Sequence, residues 1–311
     1  MSIEISVVIC TYNRASYLVK ALESLQLQSV PLDSFEIIVV DNHSNDNTKD
    51  IVNRFQLELS NLIYIYEPSQ GLSIARNCGI KAARSEIIIF IDDDAVACPD
   101  LIDYHLKAYK EIHPRPGCVA GKILLDWELP KPDWFPNNRL FERALTYLDY
   151  GQEPRFIDFT KYEYPFGANM SFLKSALSDI GGFKNNLGRR GNNLLSNEES
   201  HVIYSLFKND YKIYYEPRSY VYHKVTKERI SKKFFYKRFY WQGISNAIWY
   251  PEEMKQKKQF ITSCKVLAKT SVDFLRLYLK NQNGKTDRFE KLCTIYFNAG
   301  FILQKVLRLK R

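Results

Sequence analysis

Residues 87–94 read Ile-Ile-Ile-Phe-Ile-Asp-Asp-Asp, an apolar run of strand-forming residues that ends in three consecutive carboxylates. Successive side chains of an extended segment point to opposite faces, so neighbouring aspartates at this strand end can serve two different partners. Three crowded carboxylates destabilise the fold unless a cation or donor groups compensate. A divalent cation that prefers oxygen ligands, Mg²⁺ or Mn²⁺, is the simplest way to neutralise this negative charge. A polar turn that happens to be acidic is the alternative interpretation.

Working outward from this stretch, apolar strands alternate with amphipathic helices. We expect strands at 5–10, 35–40, 62–66 and 87–91. One helix is expected to begin near residue 15, and three others are expected at about 48–55, 72–83 and 99–111. This alternation predicts an α/β fold with a largely parallel sheet and right-handed crossovers. In such sheets ligands collect beyond the carboxyl ends of the strands. Thr11, Asp41 and the three aspartates Asp92, Asp93 and Asp94 all occupy that position.

The second half of the chain has a weaker pattern. Further strands are expected at 118–124, 164–171, 212–215 and 220–223, with helices at 173–180 and 198–209. Residues 127–162 mix Pro, Trp, Phe and Tyr without clear periodicity, which fits either a partly ordered segment near a binding surface or simple packing. Gly188 and Gly191 flank Arg189 and Arg190 in a flexible basic loop.

Composition indicates an ordinary globular protein of 311 residues, of which 45% are hydrophobic. Six cysteines without CxxC spacing suggest buried thiols in a reducing compartment, so we expect a cytoplasmic protein. We see neither a signal peptide nor an apolar run of the roughly 20 residues that a spanning helix needs.

The net charge of +9 is unevenly placed, because the chain carries +15 from Lys224 onward and −6 before it. Residues 234–241 interleave aromatic and cationic side chains, a pattern found both in membrane-surface helices and in nucleic-acid grooves. Three interpretations stay open for this tail. It is a packed helical extension with a solvated basic face, a surface that docks on anionic lipid at about 1 kcal/mol per cation, or an RNA-binding segment. Nucleic acid is the least expected partner.

Seven short motifs in fixed order carry a resemblance over about the first 220 residues. They are Val-Val-Ile-Cys-Thr-Tyr-Asn-Arg (7–14), Ile-Ile-Val-Val-Asp-Asn (37–42), Gly-Leu-Ser-Ile-Ala-Arg-Asn-Cys-Gly-Ile (71–80), Asp-Asp-Asp (92–94), Gly-Ala-Asn-Met (167–170), Ile-Gly-Gly-Phe (180–183) and Asn-Glu-Glu-Ser (197–200). Together they resemble a family 2 glycosyltransferase. The resemblance implies a GT-A fold with a mostly parallel central sheet flanked by helices. It also implies inverting transfer of a sugar from a nucleotide diphosphate donor.

The resemblance assigns a nucleotide pocket. Thr11 and Tyr12 match positions that line this pocket, and Arg76 matches a pocket arginine, with a surface ion pair as the alternative. Asp41 matches the residue that receives the base, which favours a UDP-sugar because a carboxylate can accept the imide N–H of uracil. Capping the turn before the second helix is the alternative role for Asp41.

The resemblance also divides the acidic cluster, in the manner of a DXD motif. Asp94 aligns with the metal ligand, Asp93 with the ribose contact, and Asp92 is left as a supporting residue. His223 falls where related enzymes often place a further metal ligand, and its imidazole suits Mn²⁺ better than Mg²⁺. A packed structural role is the alternative for this histidine.

Inverting transfer needs a base for the acceptor hydroxyl. Glu199 matches the acidic residue that family members use, commonly the Asp of a Glu-Asp pair. Here the pair is Glu198-Glu199, so either residue can be the base. Arg189 and Arg190 are expected to close over the diphosphate, or else to be a solvated loop.

We therefore expect a catalytic domain at 1–223, made of a nucleotide-binding half (1–117) and an acceptor half (118–223), and a helical basic C-terminal extension at 224–311. The expected acceptor is a saccharide or a lipid-linked saccharide used in polysaccharide or cell-surface glycan synthesis, and an anionic membrane surface is a candidate partner at the inner face of the membrane. The Gln-x-x-Arg-Trp motif of cellulose-synthase-like enzymes is missing, which favours a non-processive enzyme.

Two alternatives belong to other classes. One is a catalytically silent membrane- or RNA-binding module on the same scaffold. The other is a sugar nucleotidyltransferase, which shares a similar sheet but normally has an early glycine-rich loop, whereas residues 11–15 contain no glycine.

Overall fold

The computed structural model describes residues 3–159, 163–249, 256–279 and 285–309. The first half of the chain contains β1 (Ile5–Thr11), α1 (Ala15–Gln26), β2 (Phe35–Asp41), α2 (Thr48–Phe55), β3 (Leu62–Tyr66), α3 (Leu72–Ala82), β4 (Ile87–Asp92), β5 (Ala95–Ala97) and α4 (Leu101–Glu111). The second half contains β6 (Cys118–Trp127), α5 (Arg139–Ala144), β7 (Arg155–Phe156), β8 (Asn169–Leu173), α6 (Lys174–Asp179), α7 (Glu198–Lys208), β9 (Ile213–Val225), α8 (Lys232–Ile248), α9 (Gln256–Leu279) and α10 (Lys285–Leu309).

The strands form one nine-stranded sheet in the order β3-β2-β1-β4-β8-β6-β9-β5, with β7 paired to β9. β1 to β4 pair in parallel, as the strand and helix alternation predicts. β8 then pairs antiparallel to both β4 and β6. All seven residues of β2 are buried, because a strand inside a helix-covered parallel sheet has no solvent face.

The chain divides into two compact units. The first comprises residues 1–126, 146–186 and 198–224, and it contains the sheet. The second comprises residues 127–145, 187–197 and 225–311, and it contains α5 and α8 to α10.

Two expectations for the second half were wrong. The segments at 212–215 and 220–223 belong to a single strand, β9, and the strand expected at 164–171 is β8, which covers only Asn169–Leu173. The start of β9 pairs with β7 at Tyr214 and Tyr215, and its end pairs with β5 from Val221 to His223. Pro217 has no amide hydrogen to donate, and it lies between these two pairings, where the strand tolerates it. The sequence did not lead us to expect β5.

A buried polar cluster ties α4 to β8 inside the first unit. His105 is fully buried, with its Nδ1 2.7 Å from Ser171 Oγ and its Nε2 3.0 Å from Asn169 Oδ1. Burial lowers the pKa of His105 to about 4, so the imidazole is neutral near pH 7. Asn169 Nδ2 in turn donates to the carbonyl groups of Lys122 and Ser219.

The second unit has an aromatic core of its own. Phe141 on α5 lies 5.6 Å from Phe235 on α8 and 5.4 Å from Phe289 on α10, measured between ring centroids. Phe235, at the start of the aromatic and cationic stretch 234–241, is therefore a packing residue. Trp134 and Phe135, from the aromatic segment 127–162, lie 6.1 and 5.7 Å from the ring centroid of Phe235 in the same core. Residues 160–162 of that segment lie outside the described residues.

Helices α8 and α10 approach each other closely. A Cβ atom on Gly243 of α8 would lie 1.9 Å from the carbonyl oxygen of Phe297, and one on Gly300 of α10 would lie 2.2 Å from that of Tyr240. Both positions therefore require glycine. Among the described residues, no helix combines the length and apolar character needed to cross a membrane.

Candidate active site

Strand register gathers the first candidate residues at one edge of the sheet. β1 pairs with β2 so that Thr11 stands opposite Asp41, and it pairs with β4 so that Cys10 stands opposite Asp92. The carboxyl ends of three parallel strands thus bring their polar residues together, as the topology predicts.

Asp92, Asp94 and His223 form a compact group at the end of β4. His223 Nε2 lies 3.2 Å from Asp94 Oδ1 and 3.5 Å from Asp92 Oδ2. One ligand atom from each residue can be chosen so that all three atoms lie within 4.8 Å of one another. The pairing of β5 with β9 produces this group, because it sets Ala95 opposite His223. Both Asp94 and His223 are buried, whereas the Asp92 side chain is 32% exposed.

Asp93 lies apart from this group and binds an arginine. Arg14 Nη1 donates to Asp93 Oδ1 at 3.2 Å and to Asp94 Oδ2 at 2.5 Å. The adjacent Asn13 has a left-handed backbone, with φ of 52°, where β1 turns toward α1. Sequence reasoning missed Arg14, although it closes the first motif and could have been considered as a counterion.

Burial and neighbouring charges shift the two aspartates in opposite directions. Burial raises the pKa of Asp93 to about 6, against the opposing charge of Arg14. Burial also acts to raise the pKa of Asp92, but the hydrogen bond and charge of His223 prevail and hold it below its ordinary value. The cluster is therefore electrostatically uneven, with Asp92 the more firmly ionised carboxylate.

Arg76 links the acidic cluster to the Glu198-Glu199 pair. Its Nη1 lies 3.2 Å from Glu198 Oε1, and its Nη2 lies 3.1 Å from Glu199 Oε1 and 3.8 Å from Asp92 Oδ1. The Arg76 residue is only 2% exposed, so its partners are not those of a surface arginine. Its guanidinium also lies 5.2 Å from the ring centroid of Phe183, within cation–π range.

Gly167 makes room for this arrangement. A Cβ atom at position 167 would lie 2.1 Å from Arg76 Nη2 and 2.6 Å from Glu199 Oε1. The Gly167 amide also donates to Glu199 Oε1 at 3.3 Å. The glycine of the Gly-Ala-Asn-Met motif therefore lets the backbone approach the carboxylate closely.

The two glutamates begin α7 but differ in their surroundings. The Glu198 side chain is 3% exposed and the Glu199 side chain is 16% exposed. Burial and the neighbouring charge of Glu199 raise the pKa of Glu198 to about 8, against the charge of Arg76. Glu198 is therefore mainly protonated near neutral pH.

Asp41 is buried and holds the loop that follows β2. Its Oδ1 accepts from the Ser44 amide at 2.9 Å, and its Oδ2 accepts from the Tyr64 hydroxyl at 2.8 Å. The carboxylate therefore does bind a turn, the alternative weighed for it. Each oxygen keeps a further lone pair for a ligand. The first amide of α2, that of Thr48, donates instead to Asp46 Oδ1 at 3.1 Å.

The remaining candidates lie at the end of β1 and in the second unit. Thr11 is buried and Tyr12 is partly exposed at the end of β1. Arg189 and Arg190 belong to the second unit, between Gly188 and Gly191, which both have positive φ angles. The structure therefore brings together the candidate residues of the first unit, whereas Arg189 and Arg190 belong to the second unit.

Curated relatives are glycosyltransferases. The glucosyl-dolichyl phosphate glucuronosyltransferase of Haloferax volcanii is 25% identical over 268 residues, which cover 83% of this chain and 82% of that protein. Glycosyltransferase AglE of the same organism is 40% identical over 91 residues, which cover 29% of this chain and 30% of that protein. Several other relatives likewise match over about a third of this chain.

Solved structures show the same fold at low sequence identity. The mannosyltransferase PcManGT from Pyrobaculum calidifontis, in complex with GDP-Man and Mn²⁺, has a TM-score of 0.65 at 19% identity and covers 99% of this chain and 88% of its own. S. aureus TarS 1–349 in complex with UDP has a TM-score of 0.55 at 16% identity and covers 99% of this chain and 92% of its own. The expected GT-A fold is confirmed.

The family model described as glycosyl transferase family 2 matches residues 6–181, more than half of the chain. This range begins in β1, contains the acidic cluster and ends after α6. The chain is therefore a glycosyltransferase and belongs to glycosyl transferase family 2.

Proposed function

We propose that this enzyme is an inverting, metal-dependent transferase that moves a sugar from a nucleotide diphosphate donor, with a UDP-sugar favoured, to a saccharide or lipid-linked saccharide. One observation carries the proposal. Arg76 lies between two acidic groups, the cluster at the end of β4 and the glutamate pair at the start of α7. A donor diphosphate held at the first group would place its sugar toward the second.

The residues at the end of β4 fit a divalent cation. Asp92, Asp94 and His223 offer two carboxylates and one imidazole, a donor set that suits Mn²⁺ better than Mg²⁺. Asp92 therefore joins Asp94 and His223 as a candidate ligand, in addition to its supporting role. When bound, such a cation neutralises the charge that develops on the leaving diphosphate.

Glu199 is the proposed base. Its carboxylate is partly exposed, whereas Glu198 is almost fully buried and holds its own proton at neutral pH. The acceptor hydroxyl transfers its proton to Glu199 as its oxygen attacks the anomeric carbon. The bond between that carbon and the diphosphate breaks, and the electron pair leaves with the nucleoside diphosphate. Arg76 and the Gly167 amide fix the carboxylate for this step.

The nucleotide is proposed to lie along the ends of β1 and β2. Asp41 would receive the base, Asp93 the ribose, and Thr11 and Tyr12 would line the pocket. The TarS complexes with UDP and UDP-GlcNAc support a uridine donor, while the PcManGT complex with GDP-Man shows that the fold also accepts guanosine. Arg189 and Arg190 are proposed to bind the diphosphate.

A lipid-linked acceptor would bring the enzyme to the inner face of a membrane. The Haloferax volcanii relative is named for a dolichyl phosphate substrate. Helix α9 of the second unit exposes Ile261 and Leu275 together with Lys265 and Lys269, an apolar and basic combination suited to anionic lipid. Sedimentation with vesicles tests this proposal, and equal binding to neutral and anionic vesicles would remove it.

The reaction itself is tested by release of nucleoside diphosphate from a panel of donors, with and without Mn²⁺. General-base catalysis is typically worth about 10² to 10⁴ in rate. We expect Glu199→Gln to lose turnover on that scale while donor binding persists, and Glu198→Gln to retain most of its activity. The reverse pattern would make Glu198 the base. Equal release of nucleoside diphosphate with and without Mn²⁺ would contradict the proposed cation site.

A further inference from the structure

We propose that the Arg14 guanidinium is a resident counterion of Asp93 and Asp94 and competes with the divalent cation for Asp94. This inference rests on the cation site of the proposed function. The observation behind it is that one Arg14 nitrogen donates to both Asp93 and Asp94, at 3.2 and 2.5 Å. The shorter contact goes to the carboxylate that also faces His223.

The two oxygens of Asp94 serve different partners. Oδ1 faces His223 Nε2 at 3.2 Å, and Oδ2 accepts from Arg14. A divalent cation bound through Asp94, with Asp92 and His223, would lie close to the guanidinium. Two positive charges that lie close together in a buried site repel strongly. Arg14 and the cation therefore compete for Asp94.

The Arg14 side chain can leave Asp94 while the backbone of Arg14 stays in place. Arg14 is the N-cap residue of α1, with φ of −141° and ψ of 33°, and its carbonyl oxygen accepts from the amides of Tyr17 and Leu18, so the backbone is held. Its side chain is 28% exposed, whereas that of Asp94 is 1% exposed. The long side chain can rotate toward solvent or stay on Asp93, while Asp94 cannot leave the cluster.

This arrangement has a consequence for metal affinity. Without a divalent cation, the guanidinium neutralises part of the negative charge and keeps three adjacent carboxylates compatible with burial. The cation must break a charge-assisted hydrogen bond before it gains its own ligand. Removing Arg14 should therefore tighten metal binding, even though the residue is no ligand.

The test measures binding of MnCl₂ alone, with no donor, by titration calorimetry and by electron paramagnetic resonance of free Mn²⁺. We compare the wild-type chain with Arg14→Gln, which keeps a polar side chain but removes the charge. Arg54→Gln is the matched control, because it removes an exposed arginine from α2 of the same unit. We expect the Kd of Arg14→Gln to fall by about tenfold, the scale of one charge-assisted hydrogen bond, and the Kd of Arg54→Gln to match the wild type.

The outcomes separate this inference from the proposed function. An equal or weaker Mn²⁺ affinity in Arg14→Gln overturns the competition and leaves the cation site standing. Absence of Mn²⁺ binding in all three proteins overturns the cation site and the competition with it. Should Arg14→Gln fail to fold, Arg14→Met carries the test, because methionine also removes the charge while keeping a long, unbranched side chain. Its Kd should likewise fall by about tenfold, and a wild-type Kd would overturn the inference.

Discussion

Glu198→Gln isolates the cost of burying a carboxyl beside a second glutamate. The pKa of Glu198 is about 8 in the native protein, against an ordinary value of 4.5. The unfolded chain therefore releases this proton at lower pH than the folded chain does, so the free energy of unfolding falls as pH rises between the two values. From about pH 5 to about pH 7.5, the loss amounts to roughly 3 kcal/mol. Glutamine cannot ionise, so the free energy of unfolding of the variant does not decrease with pH for this reason.

Urea unfolding followed by far-UV circular dichroism measures the effect at several pH values. We expect wild type and Glu198→Gln to have similar midpoints near pH 5, and the variant to become the more stable protein near pH 7.5. Glu153→Gln, at an exposed position of the same unit, is the control for a general effect of removing one carboxylate. It should follow the wild-type pH dependence.

Parallel curves for wild type and Glu198→Gln would refute this reasoning. They would mean that Glu198 is ionised in the native state and that Arg76, 3.2 Å away, fully offsets the cost of its burial. A variant less stable than wild type throughout the pH range would show the same, since the ion pair would then be a net stabilising contact.

Three further predictions concern other parts of the fold. Gly167→Ala should lower kcat about tenfold or more, because its Cβ would lie 2.1 Å from Arg76 Nη2 and 2.6 Å from Glu199 Oε1, and an unchanged kcat would contradict this. Gly243→Ala should destabilise the second unit by about 1–3 kcal/mol, because its Cβ would lie 1.9 Å from the Phe297 carbonyl oxygen, and unchanged tryptophan-detected unfolding would argue against it. His105 has a native pKa of about 4, below its ordinary 6.5, so its contribution to stability is complete above about pH 6.5 and is lost toward pH 4. His105→Gln should flatten this acid limb in urea titrations, and an unaltered limb would exclude the histidine as its cause.

The first half of the fold could be predicted from sequence because its signals are local. Apolar strands and amphipathic helices alternate there, and parallel strands must be joined by crossovers, so the edge where Thr11, Asp41 and the aspartates meet follows from topology alone. Motif order then indicated the family, which the family comparison shows. The short strand β5 carried too little periodicity to be recognised.

The sequence by itself therefore determined the family, the parallel half of the sheet and the residue types that gather at its edge. Only the tertiary structure decided which of them touch. Arg76 and Glu198 are 122 residues apart, and Arg14 and Asp94 are 80 apart. Such pairs depend on how strands register and how side chains fill a buried space, and neither leaves a local pattern. Burial likewise distinguishes Glu198 from Glu199, two identical side chains that the sequence alone could not rank, because a carboxyl group's pKa depends on its surroundings rather than on its neighbours in the chain.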